Sequence, residues 1–225
     1  MIYAMLLLAG KGERANNGQY KQYIKIKDKE LFLYSLDEFC SNENIDKIVL
    51  VCNKDHLEYV KTITKKYSKI DSVIEGGTTR NLSVHNGLLK IAKNHDCDYI
   101  LIHDGARPLI SKKIINDNIN SVKKFDSVAT FIEIYDSIIE KNNDDTIGHY
   151  LKREKIVKIQ TPQCFKFDII LKAHQNIDLG ELNKYTDDAG LVMSFGYKIH
   201  LIRGDIKNFK ITTENDLDIL KKILE

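Results

Sequence analysis

Only five of the 34 basic residues in this 225-residue chain are arginine: Arg14, Arg80, Arg107, Arg153 and Arg203. Arginine offers a rigid fork that grips phosphate or carboxylate through paired N–H bonds, which a lysine point charge does not. Four of the five fall inside short polar segments with a chemistry of their own. The first segment is Leu8-Ala9-Gly10-Lys11-Gly12-Glu13-Arg14, followed by Lys21-Gln22-Tyr23. Gly10 and Gly12 let backbone N–H groups approach a polyphosphate, while Arg14 and Lys21 add side-chain charge beside them. The G-x-x-x-x-G-K-[ST] spacing of a Walker loop is absent, and Ala15 occupies the third glycine position of G-x-G-x-x-G. A plain turn is the alternative reading of the two glycines alone.

The second segment, Gly76-Gly77-Thr78-Thr79-Arg80-Asn81-Leu82-Ser83, follows a strand and opens a helix. Its glycines allow a planar base to lie against the backbone, and Arg80 and Ser83, one turn apart, share a side. Thr78 or Thr79 is also placed to cap the helix. The third, His103-Asp104-Gly105-Ala106-Arg107-Pro108, ends an apolar strand. An aspartate there, in a phosphate-rich site, suits Mg²⁺, which prefers hard oxygens shared with substrate phosphates. Asp96-Cys97-Asp98 has the D-x-D form of sugar-nucleotide glycosyltransferases but precedes its strand, at the wrong end of a sheet, and reads as a solvated turn. Asp136-Ser137, Arg153, Gln160-Thr161-Pro162-Gln163, Thr186-Asp187-Asp188-Ala189 and Asn208–Thr212 are, each alone, best explained as exposed polar residues.

These segments need elements to position them. Apolar runs at Ile2–Leu8, Lys47–Cys52, Tyr99–His103 and Ser127–Ile134 read as strands, and Leu31–Cys40, Asp55–Tyr67, Arg80–Lys93 and Lys112–Lys124 have helical spacing. That alternation predicts an α/β fold: a Rossmann-like, mostly parallel sheet with helices on both faces and ligands outside the carboxyl ends of the strands. Between 138 and 160 the pattern changes to two short extended pieces around a polar turn, with little hydrophobic content. Such a protruding β-hairpin arm needs something else to pack on, here a second subunit. A helix at Phe167–Gln175, a strand at Lys198–Arg203 and a helix at Glu214–Leu224 complete one domain spanning 1–225.

Composition narrows the class. With 43% hydrophobic and 29% charged residues, the chain can bury a core. A net charge of +2 argues against a surface built around nucleic acid, and no apolar run is long enough for a membrane span. Four scattered cysteines without a C-x-x-C pair suit a reducing, cytoplasmic setting.

Taken in this order and spacing, LAGKGER, GGTTRNLS, HDGARP, QTPQ, TDDAG and NFKITTENDL resemble the polyol-phosphate cytidylyltransferases over nearly the whole chain. The resemblance implies that CTP and an alditol phosphate give a CDP-alditol and pyrophosphate, with Mg²⁺. It implies that Gly10, Gly12, Arg14 and Lys21 hold the triphosphate, with Arg14 and Lys21 stabilising charge at the α-phosphate and Leu8 and Ala9 also binding the nucleotide. It implies that Gly77, Thr78 and Ser83 read cytosine, Arg80 positions the nucleotide, and Asp104 carries the metal. Arg153 and Lys210 would grip the incoming phosphate, with Arg107, Asp136, Ser137, Thr161 and Thr186 on the alditol side. Further, it implies a homodimer in which Arg153 completes the partner's site. The chain departs from the family at Ala15, where methionine is usual, at Tyr20 in place of proline, and at Ser137 in place of threonine. Lys207 stands where an acidic residue is common, leaving Asp205 as the stand-in for a second metal ligand.

The HDGARP, TDDAG and LKREKIVKIQTPQ segments resemble the branch acting on 2-C-methyl-D-erythritol 4-phosphate, in isoprenoid precursor synthesis, more than the ribitol 5-phosphate branch. Ribitol 5-phosphate or another polyol phosphate of surface-polymer synthesis is the alternative substrate. A nucleotide-binding regulator without turnover is a further alternative, against which Arg14, Lys21 and Asp104 together count.

Overall fold

Strand β1 (Ile2–Leu8) is an unbroken apolar run, and Tyr3, Ala4, Met5, Leu6 and Leu8 are all sealed from solvent. A strand apolar at every position is suited to burial on both faces, and β1 lies at the middle of the sheet accordingly. The computed structural model describes residues 1–10, 20–94 and 96–225. Gly12, Arg14 and Ala15 lie outside the described residues. On one flank of β1 run, in parallel, β4 (Lys47–Cys52) and then β5 (Ile70–Glu75); on the other runs β6 (Tyr99–Asp104). Beyond β6 come β10 (Val157–Lys166), β7 (Ser127–Glu133) and β11 (His200–Arg203). The order β11-β7-β10-β6-β1-β4-β5 makes seven strands, of which β10 alone runs against its neighbours. Two ribbons stand apart: β2 (Lys25–Ile26) with β3 (Lys29–Glu30), and β8 (Ile139–Lys141) with β9 (Ile147–Tyr150).

Helices cover both faces. Helix α1 (Leu31–Ser41), α2 (Leu57–Thr64) and α4 (Lys112–Phe125) pack on the side of Ala4, Leu6 and Leu8. Helix α3 (Arg80–Ala92), α5 (Phe167–Asn176) and α6 (Asp188–Ser194) cover the side of Tyr3 and Met5. Helix α7 (Glu214–Leu224) closes a smaller core of Ile26, Leu31, Ile211 and Leu220. After β1 the chain winds outward to β4 and β5, then returns to β6 on the other side. The crevice between β1 and β6 is therefore the switch point of the sheet, where open α/β folds bind ligands.

The mostly parallel, two-sided layering is as the sequence predicts. Strand β10 is not among the predicted strands, because Gln160, Thr161 and Gln163 interrupt its apolar pattern. All three are buried, not exposed. Pro162 fits a central strand because the pairing with β7 shifts register between Ile159 and Gln163. Helix α6 is likewise unanticipated, and the predicted helix at 55–67 shortens to α2 preceded by a 3₁₀ turn at Lys54–His56. The hairpin arm forms as a ribbon separate from the main sheet. It is less polar than expected, since Ile139, Ile147, Tyr150 and neighbouring Tyr135 are exposed apolar side chains.

His174 on α5 is buried beside His85, with ring centroids 5.8 Å apart, and neither of its ring nitrogens has a hydrogen-bond partner among the described residues. Burial, helped by His85 and Arg80, pushes its pKa down to about 3. The unfolded chain therefore binds a proton here that the folded chain refuses, so stability is full above about pH 6.5 and is lost as pH falls toward 3. Between pH 7 and 4.5 the wild type is expected to lose about 2 kcal/mol more unfolding free energy than His174→Leu. Urea titrations at the two pH values check this; equal losses would contradict it.

Candidate active site

A cavity of about 810 Å³ opens at the carboxyl ends of β1, β4, β5 and β6. Ala9 and Gly10 form its floor after β1, and Asn53 and Lys54 extend one wall after β4. Residues from Glu75 to Arg80, with Ser83, follow β5; Asp104 and Ala106 follow β6. Lys21 and Gln22 close one end, and Lys210, Ile211 and Thr212 cross from the C-terminal segment.

Asp104 is the charged centre. Its Oδ1 accepts from Arg80 Nε at 3.2 Å and its Oδ2 from Lys210 Nζ at 2.8 Å, with Arg107 Nε 3.9 Å from Oδ2. Burial opposes ionisation of this carboxyl, yet Lys210, Arg80 and Arg107 hold it well below the usual carboxylate range. Its backbone is fixed as well. The Asp104 N–H donates to Thr161 Oγ1 at 3.1 Å, which lies 3.1 Å from His103 Nδ1. His103 Nε2 meets the Arg107 carbonyl at 3.0 Å, and a carbonyl only accepts, so Nε2 carries the proton and Thr161 donates to Nδ1. Burial pushes the His103 pKa down to about 4, which keeps the ring neutral and this tautomer in place.

The segment bearing Lys210 is pinned from several sides. Ile211 N–H donates to the Ala106 carbonyl at 2.8 Å, and Arg107 Nη1 to the Asn208 carbonyl at 2.9 Å. Asn208, fully buried, donates through Nδ2 to the Thr161 carbonyl at 2.8 Å and to Gln160 Oε1 at 3.3 Å. Lys21 Nζ donates to the Thr212 carbonyl, joining the two ends of the cavity. Gln22 Nε2 donates to the carbonyls of Leu8 and Gly10, holding the start of the glycine loop.

After β5, Thr79 caps α3 by accepting from Leu82 N–H at 3.2 Å. A Cβ on Gly76 would come within 2.7 Å of both Ala9 Cβ and Ser83 Oγ, so glycine there lets the β5 loop meet the β1 loop. Ser83 donates to the Thr79 carbonyl at 2.8 Å and accepts from Gly77 N–H at 3.1 Å. Gly105 has the same kind of constraint: its Cβ would lie 2.3 Å from Leu8 Cδ2.

The fold thus gathers Ala9, Gly10, Lys21, Gly77, Thr78, Arg80, Ser83, Asp104 and Lys210 around one cavity. Leu8 and Arg107 are buried behind its wall. Thr161, expected against the alditol, is buried, with its hydroxyl committed to Asp104 and His103. Thr186 is exposed before α6 and does not line the cavity. Asp136, Ser137 and Arg153 lie at the arm. Ser137 and Arg153 line a separate hollow of about 200 Å³, and Arg153 stands on a 3₁₀ turn after β9, its Nη1 donating to the Tyr135 carbonyl at 2.8 Å. Asp205 accepts from Lys207 N–H within its own loop and is not on the cavity wall. Asp96 and Asp98 sit at the amino ends of the strands, bonded to Lys47, Tyr3 and the chain's N-terminus. No group of three or more His, Cys, Asp or Glu side chains is gathered for a metal among the described residues. Single buried polar residues such as Gln22, His103, Asn208 and Asp188 leave no periodic trace in a sequence.

Gly10 after the first strand, with cations and one carboxylate around a cavity at the sheet's switch point, suits an α/β nucleotidyltransferase. A family model described as IspD, 2-C-methyl-D-erythritol 4-phosphate cytidylyltransferase, matches residues 2–225, and the chain belongs to that family. A Clostridium novyi protein called 2-C-methyl-D-erythritol 4-phosphate cytidylyltransferase is 40% identical over 225 residues, covering 99% of this chain and 96% of its own. The crystal structure of 4-diphosphocytidyl-2C-methyl-D-erythritol synthase from Anaerococcus prevotii superposes with a TM-score of 0.84 at 29% identity, over 99% of this chain and 95% of that one. That of the Francisella tularensis cytidylyltransferase of the same family gives 0.81 at 28% identity, over 98% of each chain.

Asn208→Ala removes two buried donors from the Thr161 carbonyl and Gln160. It is expected to cost about 2–3 kcal/mol of stability, and urea unfolding measures it. A loss below about 0.5 kcal/mol would show that this segment is held without Asn208.

Proposed function

We propose that the chain transfers CMP from CTP to 2-C-methyl-D-erythritol 4-phosphate. A phosphate oxygen of the methylerythritol phosphate attacks the α-phosphorus of CTP, the bond to the β-phosphate oxygen breaks, and pyrophosphate leaves. The attacking oxygen is already anionic, so no general base is required; positioning and charge neutralisation carry the reaction. The observation that carries this reading is the convergence of Lys21, Arg80 and Lys210 with Asp104 on the cavity beside Gly10.

The triphosphate lies along Gly10 and Gly12, with Arg14 and Lys21 meeting charge that grows on the α-phosphate. Gly77, Thr78 and Ser83 face the cytosine. Lys210, whose side chain is 43% exposed against 11% for Asp104, leaves the carboxylate to take the incoming phosphate. Arg80 acts through the carboxylates it grips, and Thr161 through the backbone of Asp104. Mg²⁺ fits a site with one hard carboxylate when it arrives on the nucleotide, because it takes remaining ligands from phosphates and water. Asp104 would hold it, through the oxygen that Lys210 vacates. Bound there, Mg²⁺ would neutralise charge on the triphosphate.

The enzyme works as a cytoplasmic homodimer; four unpaired thiols suit a reducing compartment. Arg153, 55% exposed on the turn after the ribbon and away from its own cavity, reaches the partner's site with Asp136 and Ser137. The exposed Ile147 and Tyr150 supply apolar surface for that contact.

Pyrophosphate release from CTP with Mg²⁺ and either 2-C-methyl-D-erythritol 4-phosphate or ribitol 5-phosphate tests the reading. Turnover with the methylerythritol phosphate is expected; turnover with ribitol 5-phosphate alone would overturn it. ATP in place of CTP is expected to give no product. Lys21→Ala is expected to lower kcat about 10²–10³-fold in a folded protein, the scale of one lost charge-stabilising donor, and near-normal turnover would place the triphosphate elsewhere. Mixing inactive Arg153→Ala and Lys21→Ala dimers under subunit exchange is expected to restore activity, since one site in each mixed dimer carries neither lesion. No recovery after demonstrated exchange would rule out the shared site.

A further inference from the structure

Asp188, the first residue of α6, is buried with a side-chain exposure of 0%, yet helix capping does not explain it. Its neighbour Asp187 does the capping, accepting from Gly190 N–H at 2.9 Å and from Gln163 Nε2 at 2.9 Å. Neither oxygen of Asp188 has a hydrogen-bond donor meeting ordinary geometry among the described residues. Among the described residues its one close cation is Arg80, whose Nη2 stands 2.8 Å from Oδ2. Arg80 in turn reaches Asp104 Oδ1 through Nε at 3.2 Å. Asp188, Arg80, Asp104 and Lys210 thus form one line of alternating charge, running from the protein interior to the cavity.

A buried carboxylate with a single partner cannot be abandoned by it without a large desolvation cost. Arg80 is therefore unable to swing toward a phosphate, and its guanidinium serves as a bridge. We infer that Asp188 is a positioning residue: through Arg80 it anchors Oδ1 of Asp104, so that Oδ2 stays aimed into the cavity when Lys210 moves away. This rests on the reading of the cavity as the CTP site.

The test is a double-mutant cycle of Asp188→Asn and Arg80→Gln, read in kcat, KM for CTP and urea midpoint, together with a crystal structure of Asp188→Asn. In folded Asp188→Asn, kcat is expected to fall at least tenfold while KM for CTP changes less than threefold. The double variant should be no slower than Arg80→Gln and should unfold at higher urea, since neither charge is left buried alone. The crystal structure should show Arg80 moved away from Asp104. A kcat within twofold of wild type, losses that multiply in the double variant, or an unmoved Arg80–Asp104 contact would overturn the assignment. A wild type that releases no pyrophosphate with any alditol phosphate defeats the reading of the cavity instead, and the Asp188→Asn crystal structure then decides the anchor alone.

Discussion

A carboxylate taken out of water must be compensated or it gives up its charge, and Asp104 is compensated three times over. Much of the surrounding structure follows from that requirement. Arg80 must come from the first turn of α3, Arg107 from the loop after β6, and Lys210 from a segment over a hundred residues further along the sequence. Two distant parts of the chain, and the loop that follows β6 itself, are thereby tied to one strand end. The same ring concentrates positive charge in a cavity lined by Ala9 and Gly10, which suits a triphosphate.

The sheet supplies the geometry for this convergence. Because β4 and β5 wind one way from β1 while β6 begins the other side, the loops after β1 and β6 part and leave a crevice. Close approach of the β5 loop to the β1 loop at Gly76, and of the β6 loop to the end of β1 at Gly105, keeps that crevice's walls near one another. The antiparallel β10 has a separate duty. It brings Thr161 under Asp104, Gln163 to the start of α6, and Gln160 to Asn208, so a polar strand in the middle of the sheet serves as the site's underlay.

The parallel strands, their helices and the glycine-bearing loops were legible in the sequence, because buried strands leave continuous apolar runs and phosphate loops need glycine and cations at fixed offsets. What escaped was whatever depended on partners far away in the chain. Gln160, Thr161, Gln163, Asp188 and Asn208 look like exposed polar residues until the fold buries them. Arg80 reads as a residue that positions the nucleotide, and nothing near it in the sequence shows that two carboxylates hold its guanidinium. The arm was recognised by its position and turn, but not the exposed Ile147 and Tyr150, since two apolar side chains in a polar stretch carry no periodic signal.

The proposed reaction asks Lys210, which pairs with Asp104 in this structure, to give up that carboxylate. A crystal structure of the protein with CTP and Mg²⁺ tests this most directly. The triphosphate is expected to lie along Gly10 with Lys21 in contact, cytosine against Gly77–Ser83, and Lys210 parted from Asp104 Oδ2, to which it donates here at 2.8 Å. A nucleotide bound outside the cavity, or bound within it with the Lys210–Asp104 pair intact, would contradict the account.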